Sequence, residues 1–591
     1  MRSDLALQAL FAAQTVVALW PQPSSFTSGS DTITLAPSVK FSTIYASETV
    51  HNQCTGDVLA AAINATKILL YDGFVPCMLA RPDEQFEPES FKNVPQVHDI
   101  VLRRTASDPP RGENVDEGYE LVISAIGNIT ITAKHSAGLA HGLTTLTQLF
   151  YKHSKSDLVY TSKAPLRIID RPAMKWRGLN IDVARNFIPI HRLKRILDAM
   201  SWNKMNILHL HATDSQSWPL DIPSLPELSK KGAFECNMVY TAKDFQKLQQ
   251  YANLRGIQVV TEIDLPGHTA SIHSAYPELI TGYNVQAKSF PDAMPGYHAV
   301  DVKDWSAYCA EPPCGQLKLN STKVDAFLRT LLSDLLPRVS NHTTFFHAGG
   351  DEVNKNVYLL QLGLNTNDSA ILQPLVSKLV LSVHEQIRQQ GLTPIVWEEM
   401  LLSWNITLHK DTLVQSWIDQ AAVRKVVEQG YKVIAGSSSA TYLDCGKGQW
   451  LDFTAPSIPW QQSQGFVDYC SPFKNWKAIY QYDPLFNLTA EQAPLMQGFE
   501  VHAWTEQIDM STIETALWPR AAAAAEVGWN GTVSSRETLA NGQITFPNKV
   551  RSLESAGARL SEWRERMVHR GIRVEPIHSR WCTQRPGQCS L

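Results

Sequence analysis

The sequence has little excess of either charge and few long apolar runs. Its 53 basic and 57 acidic residues leave a formal net charge of −4, and no basic run stands out. Without such a run, a nucleic acid is a poor partner. After the N-terminal segment, no stretch approaches the roughly 18 uninterrupted apolar residues that a membrane span requires. The sequence therefore predicts neither a nucleic-acid partner nor a membrane partner.

The chain is long, and it is rich in tryptophan. Its 591 residues are 44% hydrophobic and 19% charged, as in an ordinary soluble globular protein with two or more domains. Its 16 tryptophans are a large number. Aromatic faces suit the apolar faces of sugar rings as well as protein cores.

Two features predict secretion. The start, "MRSDLALQALFAAQTVVALWPQP", has Arg2, an Ala/Leu/Val-rich stretch and then small residues, which predicts a signal peptide over residues 1–18. Asn-x-Ser/Thr glycosylation sequons occur at Asn64, Asn128, Asn320, Asn341, Asn367, Asn405, Asn487 and Asn530. We expect an extracellular glycoprotein, with a vacuolar or lysosomal location as the alternative.

The cysteines support the same compartment. Eight of the nine fall in close pairs, which would be local disulfides in an oxidising environment: Cys54/Cys77, Cys309/Cys314, Cys445/Cys470 and Cys582/Cys589. Cys236 is left over. Spacing alone leaves the connectivity open.

The chain divides by its strand and helix pattern. Residues 19–165 mix strand-like and helix-like segments and predict a small α/β domain. Over residues 166–545, eight short apolar strands alternate with helical patterns, which predicts a (β/α)8 barrel. Residues 546–591 add a last helix and the Cys582/Cys589 loop.

Polar and aromatic residues stand at the carboxyl ends of these strands. In a barrel those ends converge on one face, where the catalytic loops lie. The residues that the pattern brings to that face are Asp182, Arg185, Asp214, Asp264, His268, Asp351, Glu352, Trp397, Glu398, Trp417, Tyr442, Asp444, Trp504 and Glu506. A pocket with many carboxylates and several tryptophans suits a neutral polyhydroxyl ligand.

The stretch "FHAGGDEV" places Asp351 beside Glu352. Adjacent carboxylates disfavour ionising both, so their apparent pKa values are expected to split, as an acid catalyst of glycoside cleavage requires. Adjacent residues cannot easily serve as the acid and the opposed nucleophile of an ordinary retaining pair. A 2-acetamido carbonyl on the substrate could supply the nucleophile instead, with a large effective-molarity advantage.

At these residues the sequence resembles a known family. The ordered set "WRGLNIDVARNF", "NKMNILHLHATDSQSWP", "EIDLPGH", "FHAGGDEV", "VWEE", "SSSATYLD" and "HAWTE" resembles the family 20 β-N-acetylhexosaminidases, most of all the secreted fungal members. The resemblance implies an exo-acting, retaining enzyme that removes terminal N-acetylglucosamine or N-acetylgalactosamine through an oxazolinium intermediate. It implies no metal and no cofactor, and a homodimer is expected.

The resemblance also implies roles for individual residues. Glu352 would be the acid/base, Asp351 would orient the acetamido group, and Tyr442 would hydrogen-bond its oxygen. The other predicted substrate-binding residues are Arg177, Asp214, His268, Trp397, Trp417, Asp444, Trp476, Trp504 and Glu506. Arg177 is expected at the C3 and C4 hydroxyls, and Trp476 at a second sugar. Ser215 stands where the family often has a second acid.

Two other functions compete with this interpretation. His209 and His211 alternate on one strand and, with His268, His347 and Asp351, could form the metal site of an amidohydrolase. We interpret them instead as buried barrel histidines. A catalytically inactive sugar-binding protein is the third possibility, which the presence of Asp351, Glu352 and Tyr442 disfavours.

Overall fold

The computed structural model describes most of the chain. The described residues are 18–45, 57–109, 115–287, 298–300, 305–452, 462–531, 537–538, 544–545, 551–585 and 587–589. The predicted signal peptide falls almost wholly outside them.

The N-terminal domain is a six-stranded sheet with two helices. In spatial order its strands are Ser25–Tyr45, Gln96–Arg104, Ile129–Ala133, Tyr119–Ile123, Val159–Asp170 and Tyr151–Lys152. Helices Val58–Leu69 and Ser136–Leu149 accompany the sheet. Alternating burial along Tyr119–Ile123 and Ile129–Ala133 puts one side of each strand in the core. The predicted boundary after residue 165 falls inside strand Val159–Asp170, so the sheet continues further than the sequence indicated.

The second domain is a closed barrel of eight parallel strands, which confirms the (β/α)8 prediction. In chain order its strands, numbered 1 to 8 here, are Trp176–Asp182, Ile207–His211, Gln258–Glu262, Phe345–His347, Thr393–Trp397, Leu413–Ser416, Lys432–Ala435 and Met496–Ala503. Strand 8 pairs with strand 1 over six residue pairs, which closes the barrel. These strands are buried on both faces, as a parallel sheet covered by helices requires.

Helices follow the strands around the outside. Those of the barrel are Ile190–Trp202, Glu227–Gly232, Ala242–Asn253, Thr322–Ser340, Ser369–Gln389, Glu399–Leu402, Gln420–Glu428, Ser438–Thr441, Trp476–Gln481, Ile513–Leu517 and Arg520–Asn530. Helices Leu553–His569 and Arg580–Thr583 complete the described chain. Among the helices described, none combines the length and the hydropathy of a membrane span.

Buried ion pairs join the two domains. Lys204 places its Nζ 3.0 Å from Asp170 of the N-terminal sheet, and both side chains are fully buried. Trp529 of the last barrel helix donates its indole N–H to the same carboxylate at 2.9 Å. Because a buried charge that loses its partner costs about 3–5 kcal/mol, these contacts fix the domains against each other at the base of the barrel.

Three of the four predicted disulfides are present: Cys309–Cys314, Cys445–Cys470 and Cys582–Cys589. Each joins cysteines whose Cα atoms lie between 5.2 and 5.8 Å apart, a separation that a disulfide spans without backbone movement. Cys236, which the sequence pairs left over, is exposed and is not paired with another described cysteine.

The fourth predicted disulfide, Cys54/Cys77, needs correction. Cys77 is a free, exposed thiol in the structure, so the prediction that it is disulfide-bonded does not hold there. It lies on the short 3-10 helix Pro76–Leu79, which has no buried residue and brings it to no other described cysteine. The partner that we predicted for it, Cys54, lies outside the described residues. Among the described residues, Cys77 therefore has no disulfide partner.

Candidate active site

The carboxyl ends of the barrel strands bring the predicted polar residues to one pocket. The loop after strand 4 is its centre. Gly349 and Gly350 both have positive φ angles, of 64° and 108°. A Cβ at Gly349 would overlap the Asp264 carboxylate, and one at Gly350 would lie 2.6 Å from Met400. Only glycine fits there, because this tight turn packs against protein side chains rather than leaving room for a ligand.

Above this loop, His268 and Glu352 have strained backbone conformations, and their side chains face each other. Glu352 has φ of 50° and His268 has φ of 53°, in the left-handed region that costs a non-glycine residue about 1–3 kcal/mol. His268 Nε2 lies 3.2 Å from Glu352 Oε2 and 3.8 Å from Asp351 Oδ2. The Glu352 side chain is 34% exposed, whereas that of Asp351 is 12% exposed. Of the two adjacent acids, Glu352 is therefore the one whose side chain is accessible from the pocket.

Asp351 forms a carboxyl pair with Asp264, which follows strand 3. Burial raises the pKa of Asp264 well above its usual range, and the neighbouring Asp351 raises it further. Burial also raises the pKa of Asp351, although the charge of His268 and a hydrogen bond from Asp264 oppose this rise. Gly350 N–H donates to Asp264 Oδ1 at 2.7 Å. The pair therefore holds a proton on Asp264, which leaves Asp351 as the partner that can ionise.

A histidine bridge ties this loop to strand 2. His268 Nδ1 lies 3.1 Å from Asp214 Oδ1, so the imidazole spans Asp214 and Glu352. Burial opposes ionisation of Asp214, but Arg185, His268 and a hydrogen bond from His211 hold its pKa well below the usual range. Ser215, which replaces the second acid of the motif, donates its backbone N–H to Asp214. An ionised Asp214 in turn stabilises the protonated form of His268.

Arg185 brings a guanidinium into the pocket. Its Nη2 lies 2.9 Å from Asp214 Oδ2, and its Nε donates to Glu311 Oε1 at 2.8 Å. Its guanidinium carbon lies 5.2 Å from the ring centroid of Trp504. Burial raises the pKa of Glu506 well above its usual range, and the charge of nearby Glu311 adds to this effect. The arrangement offers a fixed donor beside several acceptors, which suits adjacent sugar hydroxyls.

Four aromatic side chains form a wall of the pocket. The Trp397 and Trp504 ring centroids are 6.3 Å apart, and Trp417 stacks on Tyr442 at 6.3 Å with 16° between the rings. Tyr442 meets Trp504 at 60° and 6.1 Å. Trp397 is fixed from below by Glu262, and Trp417 by Glu399, whose carboxylates accept their indole N–H groups at 2.8 and 2.9 Å.

Two disulfide loops bring Glu311 and Tyr469 to the pocket, and the sequence predicted no role for either residue. Glu311 lies between Cys309 and Cys314, and the bridge holds it against Arg185. Tyr469 precedes Cys470, whose bridge to Cys445 holds it near Asp444, Glu506 and Glu352. Tyr469 is 71% exposed, so it stands at the rim. Burial raises the pKa of Asp444 to about 7. The cysteine spacing was the only sequence signal for either residue.

The prediction that Arg177 lines the pocket is wrong. Arg177 is the second residue of strand 1 and therefore lies at the opposite end of the barrel. Its guanidinium pairs with Glu117 of the N-terminal domain and donates to the carbonyls of Met174 and Lys204 at 2.7 and 2.8 Å. Arg185, at the carboxyl end of the same strand, occupies the pocket instead.

The prediction that Trp476 contacts a second sugar is also wrong. Trp476 begins helix Trp476–Gln481 and is 6% exposed within the main hydrophobic core. Its ring lies 3.6 Å from the position that a Cβ on Gly557 would take. The helix turns this tryptophan inward, so it packs beneath the surface rather than facing the pocket.

The barrel histidines are buried, as we interpreted them. His209 and His211 are at most 1% exposed. Donor atoms of His209, Glu262 and His347 lie within 4.8 Å of one another, the spacing of a metal site. However, both nitrogens of His209 face carboxylates, and His347 Nδ1 accepts the N–H of Gly349 at 3.0 Å. The arrangement is that of a hydrogen-bond network.

Carboxylates, an arginine and stacked aromatic rings at the carboxyl ends of a (β/α)8 barrel fit the class of glycoside hydrolases. The profile described as "Glycosyl hydrolase family 20, catalytic domain" matches residues 174–532, and "beta-acetyl hexosaminidase like" matches residues 19–149. The chain belongs to glycosyl hydrolase family 20 and is a β-N-acetylhexosaminidase.

Curated relatives agree with this assignment, and a solved structure shares the fold. The chain is 37% identical to a "Beta-hexosaminidase" of Arthroderma benhamiae over 625 aligned positions, covering 98% of both chains. It is 30% identical to a "Chitooligosaccharidolytic beta-N-acetylglucosaminidase" of Ostrinia furnacalis over 502 positions, covering 80% of this chain and 75% of the relative. Its fold is similar to that of a Flavobacterium johnsoniae chitobiase, with a TM-score of 0.70, 23% identity and coverage of 94% and 73%.

Proposed function

We propose that this enzyme removes terminal, non-reducing N-acetylhexosamine with retention of configuration, using the substrate's acetamido oxygen as the nucleophile. The main support for this mechanism is the arrangement of the two adjacent acids. Asp351 is buried against Asp264, and Glu352 is open to the pocket from the same turn. Because both project from one point of the barrel, they are poorly placed to act from opposite faces of a sugar.

The proposed reaction has two steps. In the first, Glu352 protonates the glycosidic oxygen as the acetamido oxygen bonds to the anomeric carbon, and the aglycone leaves. In the second, the resulting Glu352 carboxylate takes a proton from water, which opens the oxazolinium ring at the anomeric carbon. Asp351 accepts the acetamido N–H and stabilises the positive charge, and Tyr442 donates to the acetamido oxygen.

The remaining residues bind the terminal sugar. Arg185, with Glu506, is assigned to the C3 and C4 hydroxyls, and Asp444 to the C6 side. Trp397, Trp417 and Trp504 enclose the acetamido group and the ring. Contacts to C4 from a flexible-chained glutamate and an arginine accommodate either epimer, so both N-acetylglucosamine and N-acetylgalactosamine are proposed substrates.

Chitooligosaccharides and glycoconjugate ends are the proposed natural substrates. The name of the Ostrinia furnacalis relative supports the first of these. In this enzyme Tyr469 stands exposed at the rim, close to Glu352, where an aglycone sugar would leave the pocket. Its ring offers a flat apolar face for such a sugar.

Secretion and N-glycosylation are also proposed. The sequon asparagines are exposed at seven positions, and the eighth, Asn530, is half-buried at the end of its helix. Glycan mapping is therefore expected to find Asn530 the least occupied of the eight. The homodimer stays a prediction, which sedimentation of the purified protein tests.

Arg185 and Arg177 form a matched pair for a test of the pocket. Arg185→Ala is expected to lower kcat/KM about 10²-fold, because charge-assisted hydrogen bonds to the sugar are lost. Arg177→Ala should leave kcat/KM of the folded enzyme near the wild-type value and lower the free energy of unfolding by about 3–5 kcal/mol, because Glu117 loses its buried partner. Steady-state kinetics and denaturant unfolding of both variants distinguish these effects. A KM increase confined to Arg177→Ala would reverse the assignment.

Product stereochemistry tests the proposed mechanism directly. Hydrolysis of an aryl β-N-acetylglucosaminide, followed by proton NMR before mutarotation, should release the β-anomer first. A stable thiazoline analogue of the oxazolinium should inhibit competitively and strongly. Initial release of the α-anomer would mean single displacement by water, and the proposal would be abandoned.

A further inference from the structure

A continuous row of titratable side chains runs from the catalytic loop into the barrel interior. Carboxylates and imidazoles alternate along it, and each contacts the next at 3.2 Å or less. In order, the row is Glu352, His268, Asp214, His211, Glu262, His209 and Glu500. The shortest link, 2.6 Å, joins His211 Nδ1 to Glu262 Oε2. We call the part of this row from His211 to Glu500 the axial chain.

The axial chain is shut off from water. The side chains of His209, Glu262 and Glu500 have no exposed surface, and that of His211 has 1%. They come from three barrel strands, numbers 2, 3 and 8. Charges in such a place persist only when each has an opposite partner in contact with it.

The charges along the row do alternate. Burial opposes the charge of each member of the axial chain, but Glu262 and Asp214 raise the pKa of His211 well above its usual range. Glu500 raises the pKa of His209 to about 9, and the histidines hold the pKa of Glu262 well below its usual range. Behind the catalytic loop, each imidazolium is therefore flanked by carboxylates.

Other groups also face this row from the surrounding elements. Indole and amide donors satisfy its carboxylates: Trp397 on Glu262, and Trp176 and Gln415 on Glu500. The neighbouring histidines are His347, beside Glu262, and His502, beside Glu500. At the pocket end, Arg185 faces Asp214. The carboxyl groups of Asp351, Asp264 and Glu311 lie around His268.

His347 differs from the histidines of the row. Burial lowers the pKa of His347 to about 3, so it is neutral. Its Nδ1 accepts the Gly349 N–H and therefore has no proton to give to Glu262, 3.3 Å away. It lies at the same depth without belonging to the alternation, which makes it a control.

We propose that His211 and Glu262 are positioning residues for the general acid, Glu352. Their fixed charges act on Glu352 through Asp214 and His268 and set the pH range over which Glu352 keeps its proton. This inference rests on the proposed function, in which Glu352 is the acid. No proton needs to travel along the row. A positive charge at His211 favours the carboxylate form of Glu352, and a negative charge at Glu262 favours the protonated form.

Two substitutions of opposite sign test the proposal. His211→Asn removes a positive charge, so the acid should keep its proton to higher pH and the alkaline limb of kcat/KM should move up. Glu262→Gln removes a negative charge, so the limb should move down. Each shift should be about half a pH unit to one unit, as expected for a unit charge a few groups away. Full profiles on an aryl β-N-acetylglucosaminide measure both.

A merely structural role would not produce opposite shifts. His347→Asn, a packing change at the same depth, should leave the limb in place whatever it does to the amplitude. Glu262→Asp keeps the charge and should restore the limb. If His211→Asn does not fold, His209→Asn should move the alkaline limb in the same direction by a smaller amount. Shifts of equal sign in the two main variants, or none beyond that of His347→Asn, would overturn the inference.

Glu352→Gln, measured in parallel, separates this inference from the proposed function. It should remove the alkaline limb, because the ionisable acid is gone. A limb that persists in Glu352→Gln means that Glu352 is not the acid, and the proposed function fails. A limb that Glu352→Gln removes, but that the charge variants leave unmoved, means that only the axial chain has been misassigned.

Discussion

A β-glucoside that lacks the 2-acetamido group should be hydrolysed at least about 10⁴-fold more slowly, in kcat, than the matching N-acetylglucosaminide. The reason is that the acetamido oxygen is the proposed nucleophile, held inside the pocket before any bond changes. Well-oriented intramolecular nucleophiles reach effective molarities of about 10⁵ M and above, and the plain glucoside has no substitute for one. Aryl glycosides with the same leaving group isolate this difference.

A graded series separates nucleophilic participation from simple recognition. Mono-, di- and trifluoroacetamido substrates keep the N–H for Asp351 but have progressively less nucleophilic carbonyl oxygens. Their kcat should fall steadily with each fluorine while KM changes little. A glucoside within about tenfold of the N-acetylglucosaminide, or a flat fluorinated series, would show that the group only binds and that a protein carboxylate attacks.

The wall around the acetamido group explains why this effect should be large. Trp397 and Trp417 are held by indole hydrogen bonds to Glu262 and Glu399, so neither ring can swing away. Tyr442 is 2% exposed and packs between Trp417 and Trp504. Such a rigid enclosure orients the acetamido oxygen without further ordering at the moment of reaction.

The barrel and most of its pocket could be predicted because their signals are local. Short apolar strands alternating with helices imply a barrel, and the rule that strand ends converge then gathers residues more than 300 positions apart, such as Asp182 and Glu506. The same rule placed Arg185 at the pocket. We assigned the sugar-binding role to Arg177 instead, although it begins the strand and so lies at the other end.

What could not be predicted depends on packing between distant segments. The pairing of Asp351 with Asp264 arises because strands 3 and 4 are neighbours and Gly349 leaves room for a carboxylate. Glu311 and Tyr469 reach the pocket through disulfide loops whose paths no strand or helix period describes. Trp476 turned inward because its helix packs against Arg520–Asn530, with the Trp476 ring beside Gly557, and these contacts have no local signal.

The two adjacent acids should fail in different ways when each is neutralised. Glu352→Gln should lower kcat/KM for a chitobiose-type substrate about 10³-fold or more, because a sugar leaves poorly without a proton. An activated aryl glycoside, whose phenolate leaves unaided, should lose far less in the same variant. Equal losses on the two substrates would contradict the role of Glu352 as proton donor.

Asp351→Asn should lower kcat/KM about 10³-fold on both substrates alike, because orientation of the acetamido group and stabilisation of its positive charge precede departure of either leaving group. The two variants also differ in pH dependence. Since burial raises the pKa of Asp351 and only its ionised form stabilises the cation, wild-type activity should fall as pH drops through that raised pKa. Asparagine has no proton to gain, so this acidic limb should vanish in Asp351→Asn and persist in Glu352→Gln. Rates for both substrates across pH measure this, and an acidic limb that survives in Asp351→Asn would place that ionisation on Asp264 or another group.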